Sequence, residues 1–148
     1  ASVEAGCMQV LAGTHRLGPI AHDDKPAPGN LIKRGQGISD RFDRASGTFM
    51  PLAAGEMSLH HTFLVHSSGP NNTGDRRLGL GISYIPAHVQ PLGAPRPTAL
   101  LVRGEDRYGH FVPEKRLEHP ATYEAFAAHR DANALFRARQ DSGFMRTA

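Results

Sequence analysis

Residues 55–85 read GEMSLHHTFLVHSSGPNNTGDRRLGLGISYI, and they hold most of the chain's chemistry. An apolar run ends at His66, a turn of Ser, Gly, Pro and Asn follows, and alternating apolar residues resume after Arg77. This pattern predicts a hairpin-like pair of strands with His66 and Arg77 near its rim. Asn71 is expected to hold the turn by side-chain-to-backbone bonds. Imidazole is the commonest protein ligand of transition metals, and arginine grips carboxylates bidentately, so the pair suits a metal-bound organic acid.

The same motif carries a resemblance to a known family. The order His66-Ser-Ser68-Gly-Pro-Asn71, with Arg77 placed 11 positions after His66, is similar to the C-terminal signature of phytanoyl-CoA dioxygenase-like enzymes. These are non-haem iron(II), 2-oxoglutarate-dependent oxygenases. The resemblance implies that His66 is a metal ligand, that Arg77 and Ser68 bind the cosubstrate 2-oxoglutarate, and that iron(II) is the cofactor. It also implies hydroxylation of a small organic substrate.

A second phrase, from Glu4 to Arg16, resembles the family's Gly-Cys … Gly-Thr-His segment, with Ala12 where the family usually has proline. The resemblance covers residues 4–112 and implies the C-terminal part of such an enzyme. It also implies a His-x-Asp or His-x-Glu pair upstream of Gly6, but only five residues precede Gly6 and none of them is histidine. We therefore expect this chain to supply one of three metal ligands.

Two other His/Asp pairs have the residue types of metal ligands, but their predicted surroundings do not favour metal binding. His129-Arg-Asp131 lies in a predicted helix, where residues two apart do not share a face, so it is predicted to be a surface motif. His22-Asp23-Asp24 lies in a Pro-rich segment, and a solvated loop is preferred over metal binding there.

Composition narrows the class of protein. The 148 residues suit one domain, and 16 Gly with 11 Pro favour turn-rich β structure over a helical bundle. The net charge of +3 is dispersed without a Lys/Arg run, so no nucleic-acid partner is expected. No apolar run reaches the roughly 18 residues of a membrane span, and no signal peptide is visible, so no membrane partner is expected. The single cysteine, Cys7, excludes an intrachain disulfide and favours a reducing, cytoplasmic compartment.

The predicted fold class is mainly β: a double-stranded β-helix (jelly roll), incomplete at its N-terminus and followed by a C-terminal helix. Residues 1–118 are predicted to be the C-terminal part of the jelly-roll domain, and residues 119–148 its helix and tail. Residues 17–47 are predicted to be a long loop, either at the substrate mouth or on plain surface. The predicted strands are 6–12, 77–85 and 98–103, with a brief strand at 30–34, and the predicted helix spans 120–140. Residues 56–61 and 63–67 are predicted to be two strands or one bent strand, and the resemblance implies a bend near Thr62.

The candidate site residues also have interpretations in which their role is purely structural. His66 is alternatively a buried histidine bonded to backbone, and Arg77 an edge-strand arginine paired with Asp75. His15 and His61 match family positions as well, and supporting or packing roles are open for both. His60 is expected to be structural.

The resemblance implies one function, and the missing ligand pair leaves a second one open. The first is the C-terminal part of an iron(II)/2-oxoglutarate oxygenase acting on a small molecule. The second is a non-catalytic, truncated module that binds small anions or contacts another protein through its open sheet. Because half a barrel exposes edge strands, the chain is expected to be a fragment of a larger enzyme or an obligate oligomer, with homo-oligomers forming through those edges.

Overall fold

The structure, a computed structural model, describes residues 1–23, 37–38 and 41–141. The chain forms two compact units, residues 1–81 and 82–148. The elements of the first unit are β1 (Met8–Val10), a 3-10 turn (Thr14–Leu17), a second 3-10 turn (Arg44–Ser46), β2 (Thr48–Met50) and β3 (His66–Ser68). Those of the second unit are β4 (Thr98–Ala99), β5 (Val112–Pro113) and the helix α1 (Tyr123–Asp141).

The first unit is built on a three-stranded antiparallel sheet of order β2-β1-β3. Glycines with positive φ stand near both ends of the central strand: Gly6 at 70° and Gly13 at 82°. A Cβ atom at Gly6 would lie only 2.3 Å from the carbonyl oxygen of Gly69, so this glycine lets two backbones meet. Cys7 and Val10 are the buried apolar residues of this unit among those described.

The strand register sorts side chains onto two faces of this sheet. Val10 pairs with His66, and Gln9 pairs with Ser67. Because successive strand residues point to opposite faces, His66 and Ser68 share the face of Val10, whereas Ser67 shares the face of Gln9.

The second unit combines a short parallel strand pair with α1. Thr98 pairs with Val112, and Ala125 of the helix is buried. The hydroxyl of Thr122 accepts a hydrogen bond from the Ala125 amide at 3.2 Å, which caps the start of the helix. Near the other end of the helix, Arg139 donates to the carbonyl of Leu92 at 2.8 Å and to that of Pro95.

Several predicted elements are confirmed. The strand at 6–12 appears as the shorter β1 and the helix at 120–140 as α1, and of the predicted strand at 63–67 only residues 66 and 67 lie in β3. The bend near Thr62 is a turn in which the Leu64 amide donates to the His61 carbonyl at 3.0 Å.

Other predicted elements are wrong. Residues 56–61 and 77–85 form no strand, and only Thr98–Ala99 of 98–103 does. The alternation of Leu and Ile from residue 78 onward lacks a hydrogen-bonding neighbour among the described residues, and a lone strand leaves its backbone unpaired. The described strands are few and short, and they do not close into a jelly roll.

Some predictions stay open. The predicted strand at 30–34 lies outside the described residues, as do residues 24–36 and 39–40 of the predicted loop at 17–47. The division into residues 1–118 and 119–148 stays a prediction. Among the described residues, no helix is both long and apolar enough to cross a membrane.

Candidate functional site

The two sequence phrases with family resemblance meet at the edge of the sheet. The Leu11 amide donates to the carbonyl of Val65 at 2.9 Å, and the Val65 amide donates to the hydroxyl of Thr14 at 2.9 Å. That hydroxyl donates in turn to the Leu11 carbonyl at 2.7 Å. Thr14 therefore bridges β1 and β3 immediately before His66, and it holds the backbone from which the imidazole projects.

His66 has a defined tautomer. Its Nδ1 lies 2.7 Å from the carbonyl oxygen of Leu64. A carbonyl oxygen can only accept, so Nδ1 carries the proton and Nε2 carries a lone pair. Metal-binding histidines have this arrangement, because the bond from one ring nitrogen orients the other toward the ion. The structural alternative is half right, since His66 is bonded to backbone, but its side chain is exposed rather than buried.

His61 is arranged in the opposite way. Its Nδ1 accepts a hydrogen bond from the Phe63 amide at 3.1 Å, so the lone pair of that nitrogen is occupied. The His61 ring also contacts the rings of His15 and Phe63, with centroids 5.7 and 5.2 Å apart. These contacts favour a packing role for His61. The ring centroid of His60 lies 5.5 Å from that of His66.

Ser68 and Arg77, which the resemblance implies bind 2-oxoglutarate, lie at the end of a strand and in an irregular segment. Ser68 is the last residue of β3, opposite Met8, and is exposed. Arg77 is exposed in an irregular segment, and within the described part of the chain its guanidinium has no hydrogen bond or salt bridge. The alternative pairing with Asp75 is therefore wrong, and the Asp75 carboxylate accepts from the Arg76 amide at 2.7 Å instead.

Asn71 holds the turn between these residues, as expected. Its side-chain oxygen accepts from the amide and the hydroxyl of Thr73, at 3.0 and 2.7 Å. Its side-chain nitrogen donates to the Asp75 carbonyl at 2.7 Å. The loop that separates His66 from Arg77 thus has a fixed core.

The donor set tests whether iron fits this chain by itself. Across residues 1–23, 37–38 and 41–141, no three His, Cys, Asp or Glu side chains converge to hold a metal. His129 and Asp131 are exposed on α1, and Asp131 forms a salt bridge with Arg130 at 3.0 Å, as expected for a surface motif. His22 is exposed, and Asp24 lies outside the described residues. The described residues supply one candidate ligand, the imidazole of His66, whereas a facial triad needs three.

A pocket of about 260 Å³ adjoins the sheet and was not predicted from the sequence. Gln9 donates from its amide to the carbonyls of Arg44 and Gly47, at 2.8 and 3.1 Å. The Arg44 guanidinium lies 3.5 Å from the hydroxyl of Ser67. These residues are far apart in the chain, and no motif marks them. The lining comprises Gln9, Val10, Leu11, Gly37, Ile38, Phe42, Arg44, Gly47, Val65, His66 and Ser67.

Comparison with known proteins assigns the family. The sequence model of the phytanoyl-CoA dioxygenase (PhyH) family matches residues 1–79, which contain both family-like phrases and the site just described. The chain belongs to the phytanoyl-CoA dioxygenase family. This confirms the family resemblance found in the sequence.

Curated relatives agree with the phytanoyl-CoA dioxygenase assignment. The human peroxisomal phytanoyl-CoA dioxygenase is 29% identical over 82 residues, which is 55% of this chain and 24% of the relative. The rat protein of the same name is 32% identical over 80 residues, covering 53% and 23%. A probable phytanoyl-CoA dioxygenase of Caenorhabditis elegans is 28% identical over 79 residues, covering 53% and 25%. The chain thus spans about a quarter of the length of these relatives, and no solved structure matches it significantly.

Proposed function

We propose that this chain is the C-terminal part of a non-haem iron(II)/2-oxoglutarate oxygenase that hydroxylates a small organic substrate. The observation that carries the proposal is the 2.7 Å bond from His66 Nδ1 to the Leu64 carbonyl. It leaves Nε2 as a free donor on the residue that matches the family's metal-binding histidine. The match of the family model to residues 1–79 supports the same assignment.

The roles of the chain's own residues follow from their chemistry. His66 would bind iron(II) through Nε2, and Thr14 would hold the strand that aims the ring. Arg77 would grip the distal carboxylate of 2-oxoglutarate, for which its unengaged guanidinium is suited, and Ser68 would add a hydroxyl to the same carboxylate. Iron(II) and 2-oxoglutarate, when bound, supply the oxidising chemistry.

We propose that the three-stranded sheet belongs to a jelly roll. The antiparallel order β2-β1-β3, with β2 and β3 as the outer strands among the described residues, fits a sheet that continues by pairing with further strands. Because the described residues supply one ligand, the remaining two would come from another segment of the protein that carries this chain, or from a second copy. Assembly of copies through these edges is part of the proposal, and the cytoplasmic location stays a prediction.

The test is an anaerobic titration of the protein that carries this chain with iron(II) and 2-oxoglutarate. The readout is the visible charge-transfer band that forms when the keto acid chelates protein-bound iron. We expect the band to be absent in His66→Ala and weakened in Arg77→Ala, and unchanged in the control His129→Ala. A folded His66→Ala protein that keeps the full band would refute the proposal.

A non-catalytic module is the second candidate, and one observation favours it: no three potential ligands converge among the described residues. Such a module would bind small anions or contact a protein through the exposed edges of its sheet. It predicts no charge-transfer band in the folded protein at any iron concentration, and no succinate formed from 2-oxoglutarate in air.

A further inference from the structure

The pocket beside β1 presents one cation against an apolar wall. Its polar members are Gln9, Arg44, His66 and Ser67, and its apolar members include Leu11, Ile38 and Phe42. A volume of about 260 Å³ lies just below the range of roughly 300–1,000 Å³ common for small-molecule sites. Only a small ligand fits such a space.

The polar wall lies on the sheet face opposite the side chains of the proposed iron site. Gln9 and Ser67 are cross-strand partners and therefore share a face, whereas His66 and Ser68 point to the other. The Arg44 guanidinium reaches Ser67 Oγ, which places the cation on the Gln9 face. His66 also lines the pocket, but its strand register places it on the face opposite Gln9 and Ser67.

Arg44 is held in place through its backbone. The Gln9 amide donates to the Arg44 and Gly47 carbonyls and so clamps both ends of the turn Arg44–Ser46. Asp43 caps the same turn by accepting from the Ala45 amide at 2.8 Å. A Cβ at Gly47 would lie 2.9 Å from the Gln9 side chain, so glycine gives the clamp its room.

The guanidinium itself remains available. Its bond to Ser67 is long at 3.5 Å, and no salt bridge engages it within the described part of the chain. Arginine donates through a planar fork of N–H groups that matches a carboxylate, and Ser67 can add a hydroxyl donor. The neighbouring apolar side chains suit a short hydrocarbon tail.

We propose that this pocket binds a small carboxylic acid with a short aliphatic tail, its carboxylate on Arg44 and Ser67 and its tail against Leu11, Ile38 and Phe42. This site is separate from the proposed 2-oxoglutarate position at Arg77 and Ser68. It does not depend on iron.

The experiment is a titration of the metal-free, full chain with hexanoate, followed by calorimetry and amide NMR shifts. Hexanol has the tail without the charge, and acetate has the charge without the tail. We expect saturable hexanoate binding, and binding at least tenfold weaker for both other probes. Shifts should concentrate on residues 9–11, 44–47 and 65–67.

Matched variants make the result decisive. Arg44→Gln should weaken hexanoate binding by about tenfold or more, the loss expected for a charge-assisted hydrogen bond, and Ser67→Ala by less. Arg41→Gln is the control, because Arg41 is exposed and does not line the pocket. Gln at residue 44 keeps the backbone carbonyl that Gln9 clamps, and a circular dichroism spectrum checks the fold.

Three outcomes would overturn the proposal: equal binding by wild type and Arg44→Gln, equal binding of hexanol and hexanoate, or binding lost in Arg77→Gln but kept in Arg44→Gln. The last would place the acid at the proposed cosubstrate position instead. Because no iron is present, failure here leaves the charge-transfer test of His66 untouched.

Discussion

His66 donates from Nδ1 to the Leu64 carbonyl oxygen at 2.7 Å, so in the neutral imidazole the lone pair is on Nε2. His61, five positions earlier in the same motif, accepts at Nδ1 from the Phe63 amide and so keeps its proton on Nε2. Two histidines of similar exposure are thus prepared for different chemistry by bonds to the backbone two residues away.

The tautomers predict which histidine matters for metal binding. In the protein that carries this chain, His66→Gln should lower iron(II) affinity by at least 100-fold, because it removes a ligand outright. His61→Gln should change the affinity by less than tenfold, below the roughly 10–100-fold loss typical of residues that orient a ligand, because His61 packs against His15 and Phe63. Anaerobic competition for iron(II) with a fluorescent chelator measures both affinities, and equal losses in the two variants would show that the tautomer argument is mistaken.

Replacing Gly6 with alanine is expected to lower the stability of the fold strongly. Gly6→Ala places a Cβ 2.3 Å from the Gly69 carbonyl oxygen and 2.7 Å from that of Pro70, at a φ of 70°. Backbone strain and overpacking together should lower the free energy of unfolding by about 2–4 kcal/mol. Urea denaturation measures this.

Gly74→Ala is the control for that measurement. Nothing lies within 4 Å of a Cβ at Gly74, and its φ is not positive. It should change the free energy of unfolding by less than about 0.5 kcal/mol. If Gly6→Ala proved equally harmless, the close approach of residues 6 and 69 would be disproved.

The hydrogen bonds of Thr14 are expected to stabilise the strand that carries His66. Thr14→Val keeps the side-chain shape but removes the hydroxyl that bonds both Leu11 and Val65. The Val65 amide then loses its partner, so unfolding should become easier by about 1–3 kcal/mol. Amide exchange at Val65 should accelerate, whereas Thr62→Val, at an exposed turn position, should leave it unchanged.

The apolar residues after Arg77 predict association. Leu78 and Leu80 are 82% and 89% exposed, and Ile82 and Tyr84 follow at 63% and 70%. Four large, exposed apolar side chains in one short segment favour association, so light scattering should show oligomers at micromolar concentration. Leu80→Lys should shift the protein toward monomer, and Leu17→Lys, which alters a separate exposed leucine, should not. A monodisperse wild-type monomer would contradict this.

Asp106 predicts a local response to acid. Hydrogen bonds from the Tyr108 and Gly109 amides, at 2.9 and 3.1 Å, hold the pKa of the Asp106 carboxyl below its ordinary value. A lowered folded-state pKa stabilises the turn above the unfolded-state value near 3.8, and that stability is lost as pH falls through the folded-state pKa.

NMR titration is the measurement for this turn. The amide shifts of Tyr108 and Gly109 should titrate together, with a midpoint below that of an unstructured aspartate. Asp106→Asn should abolish their pH dependence while keeping an acceptor oxygen. A midpoint above the unstructured value would reverse the sign of the prediction.

Local sequence was sufficient to predict structure wherever one short segment contains all the interacting groups. The Asn71 turn has its donors and acceptors within four residues, and the helix Tyr123–Asp141 has its cap at Thr122. Short-range hydrogen bonds of this kind depend on residue type and spacing, which the sequence displays directly. The family motif around His66 belongs to the same class of information.

Tertiary structure decided what depends on distant partners. Gln9 clamps Arg44 across 35 positions, and Thr14 reaches Val65 across 51, so neither contact leaves a local pattern. The segment 77–85 alternates as a strand should, yet it forms none, because a strand exists only with a neighbour to pair its backbone. Residue types therefore indicated His66 as a candidate metal ligand and Arg77 as a candidate carboxylate-binding residue, while the pairing of distant segments determined the pocket at Arg44 and the strand that holds His66.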